Sequence, residues 1–117
     1  MSIIDHFGFS VSPSKFDEVI KFYETALAPL GISKQKEIPG KAIGFGASPE
    51  SAPFWVASKE DSNDAGLHIA FKAADHAQVD KFHEEALKAG GADNGKPGPR
   101  PQYHANYYAA FIFDPVG

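Results

Sequence analysis

Two histidines stand at matching places in two similar stretches, His6 in IDHFGFSV and His68 in LHIAF. Imidazole is a borderline ligand for zinc, iron, nickel or copper, and two imidazoles need a third donor to hold a divalent ion well. A neighbouring carboxylate would complete the facial triad of non-haem iron sites. A lone histidine of this kind is more readily a hydrogen-bonded core residue, so it is the pairing that points to a metal. Trp55 and the group Tyr103, His104, Asn106 and Tyr107 are the candidate lining of a ligand pocket. The rings among them offer contact area with a polar tip, although aromatics near a loop also serve simply to cover a core edge. Lys72 and Arg100 suit an anionic substrate group or a solvated surface. His76 and His83, near or on a helical stretch, read as exposed and uninvolved.

A repeated unit positions these residues. At an offset of 62, His6 and Phe9 fall on His68 and Phe71. After a shorter loop, at an offset of 60, Val19, Lys21, Phe22, Glu24, Ala26, Leu27 and Gly31 fall on Val79, Lys81, Phe82, Glu84, Ala86, Leu87 and Gly91. Leu and Ala matches between amphipathic helices come cheaply. Shared Lys, Glu and terminal Gly positions behind a matching strand favour duplication.

Each unit opens with a predicted strand. Over 3–11, Phe7, Phe9 and Val11 alternate with His6, Gly8 and Ser10; over 66–73, Leu67, Ile69 and Phe71 alternate with His68, Ala70 and Lys72. A helix follows each. The first starts at Ser12 before Pro13, or at a capping box of Ser14 with Asp17. Its apolar stripe is Phe16, Val19, Ile20, Tyr23, Leu27 and Leu30. Asp75 caps the second, whose stripe is Val79, Phe82, Ala86 and Leu87 and which stops at Gly90 and Gly91. Strands are predicted at about 32–38, 42–47 and 53–58. GKPGPRPQ, residues 95–102, predicts a loop or a distorted edge strand, and residues 107–113 a strand buried on both faces. Asp114–Gly117 reads as a turn. The expected fold is α+β: one domain over 1–117, with βαβββ modules at about 1–60 and 64–117 in a curved mixed sheet. With the helices on the outer face, His6 and His68 point to the concave side.

Composition narrows the function. A net charge of −4 and a pI near 5.6 argue against a nucleic-acid partner. The absence of cysteine removes disulfides, thiolate metal sites and thiol nucleophiles. No apolar run approaches about 18 residues, and no leader precedes the first strand, so the expectation is a soluble cytoplasmic protein without a membrane partner.

IDHFGFSV followed by FYETAL is similar to the opening of vicinal-oxygen-chelate proteins, the superfamily of glyoxalases, bleomycin-resistance proteins and extradiol dioxygenases. LHIAF resembles the start of their second module, and YHANYYAAFIFDPVG the closing segment of a mostly uncharacterised glyoxalase-like group. The resemblance implies metal ligands at His6 and His68 and a divalent cofactor (iron, zinc, nickel or manganese), with no organic cofactor. Trp55 stands near a position that carries glutamate in glyoxalase I relatives and cannot replace it. The internal repeat, which sets Phe45 and Ser48-Pro49 on Phe111 and Asp114-Pro115 at an offset of 66, places the counterpart of Trp55 at position 121. Relatives that continue with Asn-Asn-Ile-Glu carry a carboxylate at that same place, on a final strand this sequence does not contain. Two functions follow from the resemblance. One is a metal-dependent lyase or dioxygenase that chelates neighbouring oxygens of a small substrate. The other is a metal-free protein that binds an antibiotic or another small molecule. A homodimer is expected for either.

Overall fold

In the computed structural model, which describes residues 4–62, 67–103 and 105–116, the first repeat folds into one helix on a mixed sheet. The elements in chain order are β1 (Phe7–Val11), α1 (Pro13–Leu27) with a 3-10 turn at Ala28–Leu30, β2 (Ser33–Ile38), β3 (Ala42–Gly46), β4 (Phe54–Ser58), α2 (His76–Lys88), β5 (Ala92–Pro99) and β6 (Tyr108–Phe113). Among the described residues, no helix is long and apolar enough to cross a membrane.

The four-stranded sheet has the order β1-β4-β3-β2. β1 and β4 are parallel, Phe7 opposite Phe54 and Val11 opposite Ser58, and the other pairings are antiparallel. α1 begins at Pro13, whose missing N–H costs nothing in a first turn, with Ser12 extended at the N-cap. Neither Ser12 nor a Ser14–Asp17 box supplies a side-chain cap. Phe16, Val19, Ile20 and Leu27 pack on Val11, Ile43, Phe45, Phe54 and Val56 to form the main core. Phe22 and Ala26, outside the predicted stripe, are buried against Ala86 of α2. α1 is thus covered on two sides, by its sheet and by the second helix.

The second repeat departs from the first. Residues 67–73, the described part of the strand expected over 66–73, join no sheet among the described residues. β5 and β6 form a separate two-stranded antiparallel sheet. The proline-rich stretch takes the edge-strand alternative, and its register slips around Gly95. β6, expected to be buried on both faces, is half-buried except at the exposed Phe113, because among the described residues β5 is the one strand beside it. Asp75 caps α2 as predicted, its carboxylate accepting from the Gln78 N–H at 2.8 Å. The inward face of α2 is turned from the predicted one: Leu87 is exposed, and His83, expected outside, is buried. The His83 ring lies 2.9 Å from the Asp93 carboxylate on β5, which satisfies its buried nitrogen.

Candidate functional site

The centre of the first sheet is built around Trp55. Phe54 and Val56 point into the core, so alternation sends Trp55 to the opposite face. Register places Gly8 on one side of it and Gly44 on the other, with Lys36 beyond Gly44, making one row across all four strands. A side chain at Gly44 would put its Cβ 2.7 Å from the indole Cε2 and Cζ2, so the ring lies across the sheet because that strand offers no side chain beneath it. At Gly8 the limit is the backbone: a Cβ would stand 2.7 Å from the Trp55 carbonyl oxygen.

Trp55 lines a hollow of about 460 Å³ together with Asp5, His6, Lys36, Glu50, Ser51 and Ala52. The His6 Nδ1 lies 2.8 Å from the Asp5 carboxylate, which leaves Nε2 for a further partner. Two carboxylates, an imidazole and an ammonium around an indole face can hold a planar molecule by stacking, with hydrogen bonds at its edge.

A second cavity, about 930 Å³, runs between residues 67–76 and 106–114. His68, Asn106 and Tyr107 line it, and Phe22, Tyr23, Val79 and Phe82 of the helices contribute apolar side chains. The His68 ring lies 6.5 Å from that of Phe111. The Tyr23 hydroxyl donates to Asp114 at 2.5 Å. Burial first, and then the Asp114 charge and this hydrogen bond, push the Tyr23 phenol far above its ordinary pKa. Tyr103 packs edge-on against Tyr107 at 5.2 Å and is itself exposed. His104 lies outside the described residues.

No family profile matches the chain, and no curated protein matches its sequence. Solved structures do. A glyoxalase/bleomycin resistance protein from Albidiferax ferrireducens T118 superposes with a TM-score of 0.82 at 25% identity, over 99% of this chain and 94% of that one. The chain has the vicinal-oxygen-chelate fold. A hypothetical protein from S. aureus shares it at a TM-score of 0.69 and 17% identity, over 100% of this chain and 89% of that one.

Within this fold the residues singled out in the sequence divide between two places. His6 and Trp55 line the smaller hollow, and His68, Asn106 and Tyr107 the larger cavity. Both histidines are exposed, and neither is packed beneath a helix. Among the described residues, no group of three His, Cys, Asp or Glu side chains is close enough to hold a metal ion. The described donors of one chain therefore do not by themselves make up the three-ligand set that a divalent metal needs. Sequence reasoning missed Asp5, Lys36 and Glu50. Only strand register brings Lys36 into line with Trp55, and the two mid-strand glycines were the available signal.

Proposed function

We propose that this protein binds a small planar molecule on the Trp55 platform, as a sequestering protein of the bleomycin-resistance kind. The carrying observation is the row Gly8, Trp55, Gly44 and Lys36, which holds an indole across the sheet with charged groups at its rim. The likeness to the glyoxalase/bleomycin resistance protein of Albidiferax ferrireducens supports the same reading. Trp55 is the one tryptophan in the chain, so titrating bleomycin and a panel of planar aromatic antibiotics against intrinsic fluorescence tests the reading. Saturable quenching, matched by calorimetry and lost in Trp55→Ala, is the expected result. Binding that survives Trp55→Ala would place the site elsewhere.

One observation favours a metal-dependent lyase or dioxygenase instead. Asp5 holds the His6 Nδ1 in the manner of carboxylates that orient ligating imidazoles. Because one chain keeps His6 and His68 in separate hollows, that reading requires a homodimer in which a second copy completes the donor set. Metal titration of the wild type, His6→Ala and His68→Ala, with light scattering for the oligomeric state, separates the two. Tight binding of iron, zinc, nickel or manganese that both substitutions abolish would favour the enzyme.

A further inference from the structure

We propose that Asn94 and Gly95 form a self-modification site, where the asparagine cyclises onto the glycine nitrogen, opens to aspartate or isoaspartate, and so loosens the junction of α2 with β5. The proposal is independent of the Trp55 hollow and of any metal. It begins with the sequence, in which Asn94 is the one asparagine followed by glycine. Glycine has no Cβ to obstruct an attack by its own nitrogen, and it reaches conformations closed to other residues. Asparagine is itself one of the thermally labile side chains.

The fold leaves this pair open. Asp93 is opposite Ile112 and Gly95 opposite Phe111, so Asn94 has no partner on β6. An extra residue of this kind drops out of the ladder and bends its strand. Asn94 is exposed and borders the larger cavity, which gives water access to it. The Gly95 N–H donates to the Asp93 carboxylate at 3.0 Å, so an acceptor is already aligned on the proton that ring closure must release. Packing also requires the glycine. Gly95 has a φ of 153°, and a Cβ there would stand 2.9 Å from Phe111 Cδ2 and 3.2 Å from Arg100 Nη2. Arg100 is pinned, donating at 2.8 Å to the Gly98 and Lys96 carbonyls with its guanidinium over the Phe111 ring. The same packing that demands a glycine at 95 therefore sets it behind an exposed asparagine.

The reaction needs only water. The Gly95 nitrogen attacks Cγ of Asn94, an intramolecular step favoured by proximity. The new N–Cγ bond forms, the Cγ–Nδ2 bond breaks, and the side-chain nitrogen leaves as ammonia with the former Gly95 amide proton. Water then opens the cyclic imide. Cleavage at Cγ gives aspartate on an unchanged main chain. Cleavage at the main-chain carbonyl gives isoaspartate, whose main chain runs through the side chain and is one methylene longer. Either product sets a carboxylate beside Asp93, which holds the buried His83 ring at 2.9 Å. Like charges at neighbouring positions disfavour each other's ionised form, so the anchor of α2 on β5 weakens. Isoaspartate also displaces the Gly95–Phe111 pairing that follows it.

The test is ageing of the whole folded chain in mildly alkaline buffer, followed by peptide mapping and mass spectrometry. Acid should accumulate at position 94, with isoaspartate among the products, while the exposed Asn106, which precedes a tyrosine, keeps its amide. Asn94→Gln, which can close only a larger ring, should stop the change. Equal conversion at Asn106, or an equal gain of acid in Asn94→Gln, would overturn the site. Conversion in urea but not in the folded chain would also overturn it, because β5 would then be shielding the pair. Loosening is read separately. Aged protein should unfold at a lower urea midpoint than fresh protein, with Asn94→Asp between the two, and amide exchange should quicken across 92–99. Conversion with an unchanged midpoint and unchanged exchange would overturn the link to the α2–β5 junction.

Discussion

Gly44→Ala asks whether the Trp55 ring keeps its place because nothing lies beneath it. The added methyl would stand 2.7 Å from Cε2 and Cζ2 and 3.0 Å from Cη2, where carbon contacts settle at about 3.5–4.0 Å. The ring must shift by about 1 Å or turn outward. In a closed core such overpacking costs about 1–3 kcal/mol, but Trp55 is half-exposed and its ring has solvent on one side. Against that cost, replacing glycine withdraws freedom from the unfolded chain, worth about 0.4–1 kcal/mol where the backbone accepts a side chain. Gly44 is outside the positive-φ region and does accept one. The two effects nearly cancel, so stability should change by no more than about 1 kcal/mol while the ring leaves its position. Urea unfolding reads the first quantity; emission maximum and iodide quenching of the single tryptophan read the second. The expected result is a red-shifted, more quenchable indole in a folded protein, with stacking affinity lowered by about tenfold, the upper end of what an aromatic pair contributes. Unchanged emission and quenching would refute the reasoning, as would a stability loss above about 3 kcal/mol, which would mean that the ring is locked in a closed core.

Two further outcomes follow from the polar contacts. Tyr23→Phe removes a hydroxyl that donates to Asp114 and should cost about 1.5–3 kcal/mol, the range for a hydrogen bond to a charged group, read as a lower urea midpoint at unchanged slope. The raised Tyr23 pKa also predicts that the wild type loses stability above its ordinary value of 10.0, as the unfolded chain releases a proton that the folded chain retains. Tyr23→Phe should lack that alkaline loss. Asp93 is held down to about 2 from 3.8, first by the His83 hydrogen bond and next by the Gly95 N–H. Its contribution is therefore present above pH 3.8 and lost as pH falls towards 2. Asp93→Asn should flatten the fall of the urea midpoint across that window, and an unchanged acid slope would count against the His83–Asp93 contact.

Local signals were legible wherever a residue's own chemistry decides the backbone. Pro13 set the start of α1, Asp75 the cap of α2, and alternation β2, β3 and β4 to within a residue, whereas β1 starts at Phe7, four residues later than expected. What failed was decided by neighbours. Phe22 and Ala26 looked like off-stripe positions because α1 was expected to meet one layer, and it meets two. His83 carried no sign of burial until Asp93 was placed across from it. The alternation over 66–73 predicted a strand, but residues 67–73 form none, because a strand needs a partner and no described residue provides one. The candidate site suffered most. His6 and His68 are equivalent in sequence, but their repeats sit with the two helices in contact, and this leaves the imidazoles in different hollows.

The parallel pairing of β1 with β4 also orders the folding of the first repeat. Phe7 finds Phe54 across 47 residues, whereas β2 and β3 meet across the short turn at Gly40. Closing the longer loop costs about 2 kcal/mol more in chain entropy, with nothing gained until β4 is already laid on β3. The hairpins of β2, β3 and β4 should therefore form early and β1 should dock last, carrying α1 onto the finished sheet. Substitutions in the β3–β4 pairing, such as Ile43→Val, should slow folding, while Val11→Ala in β1 should mainly speed unfolding. A ribosome emitting this chain would hold its N-terminal strand unpaired until residue 58 had emerged.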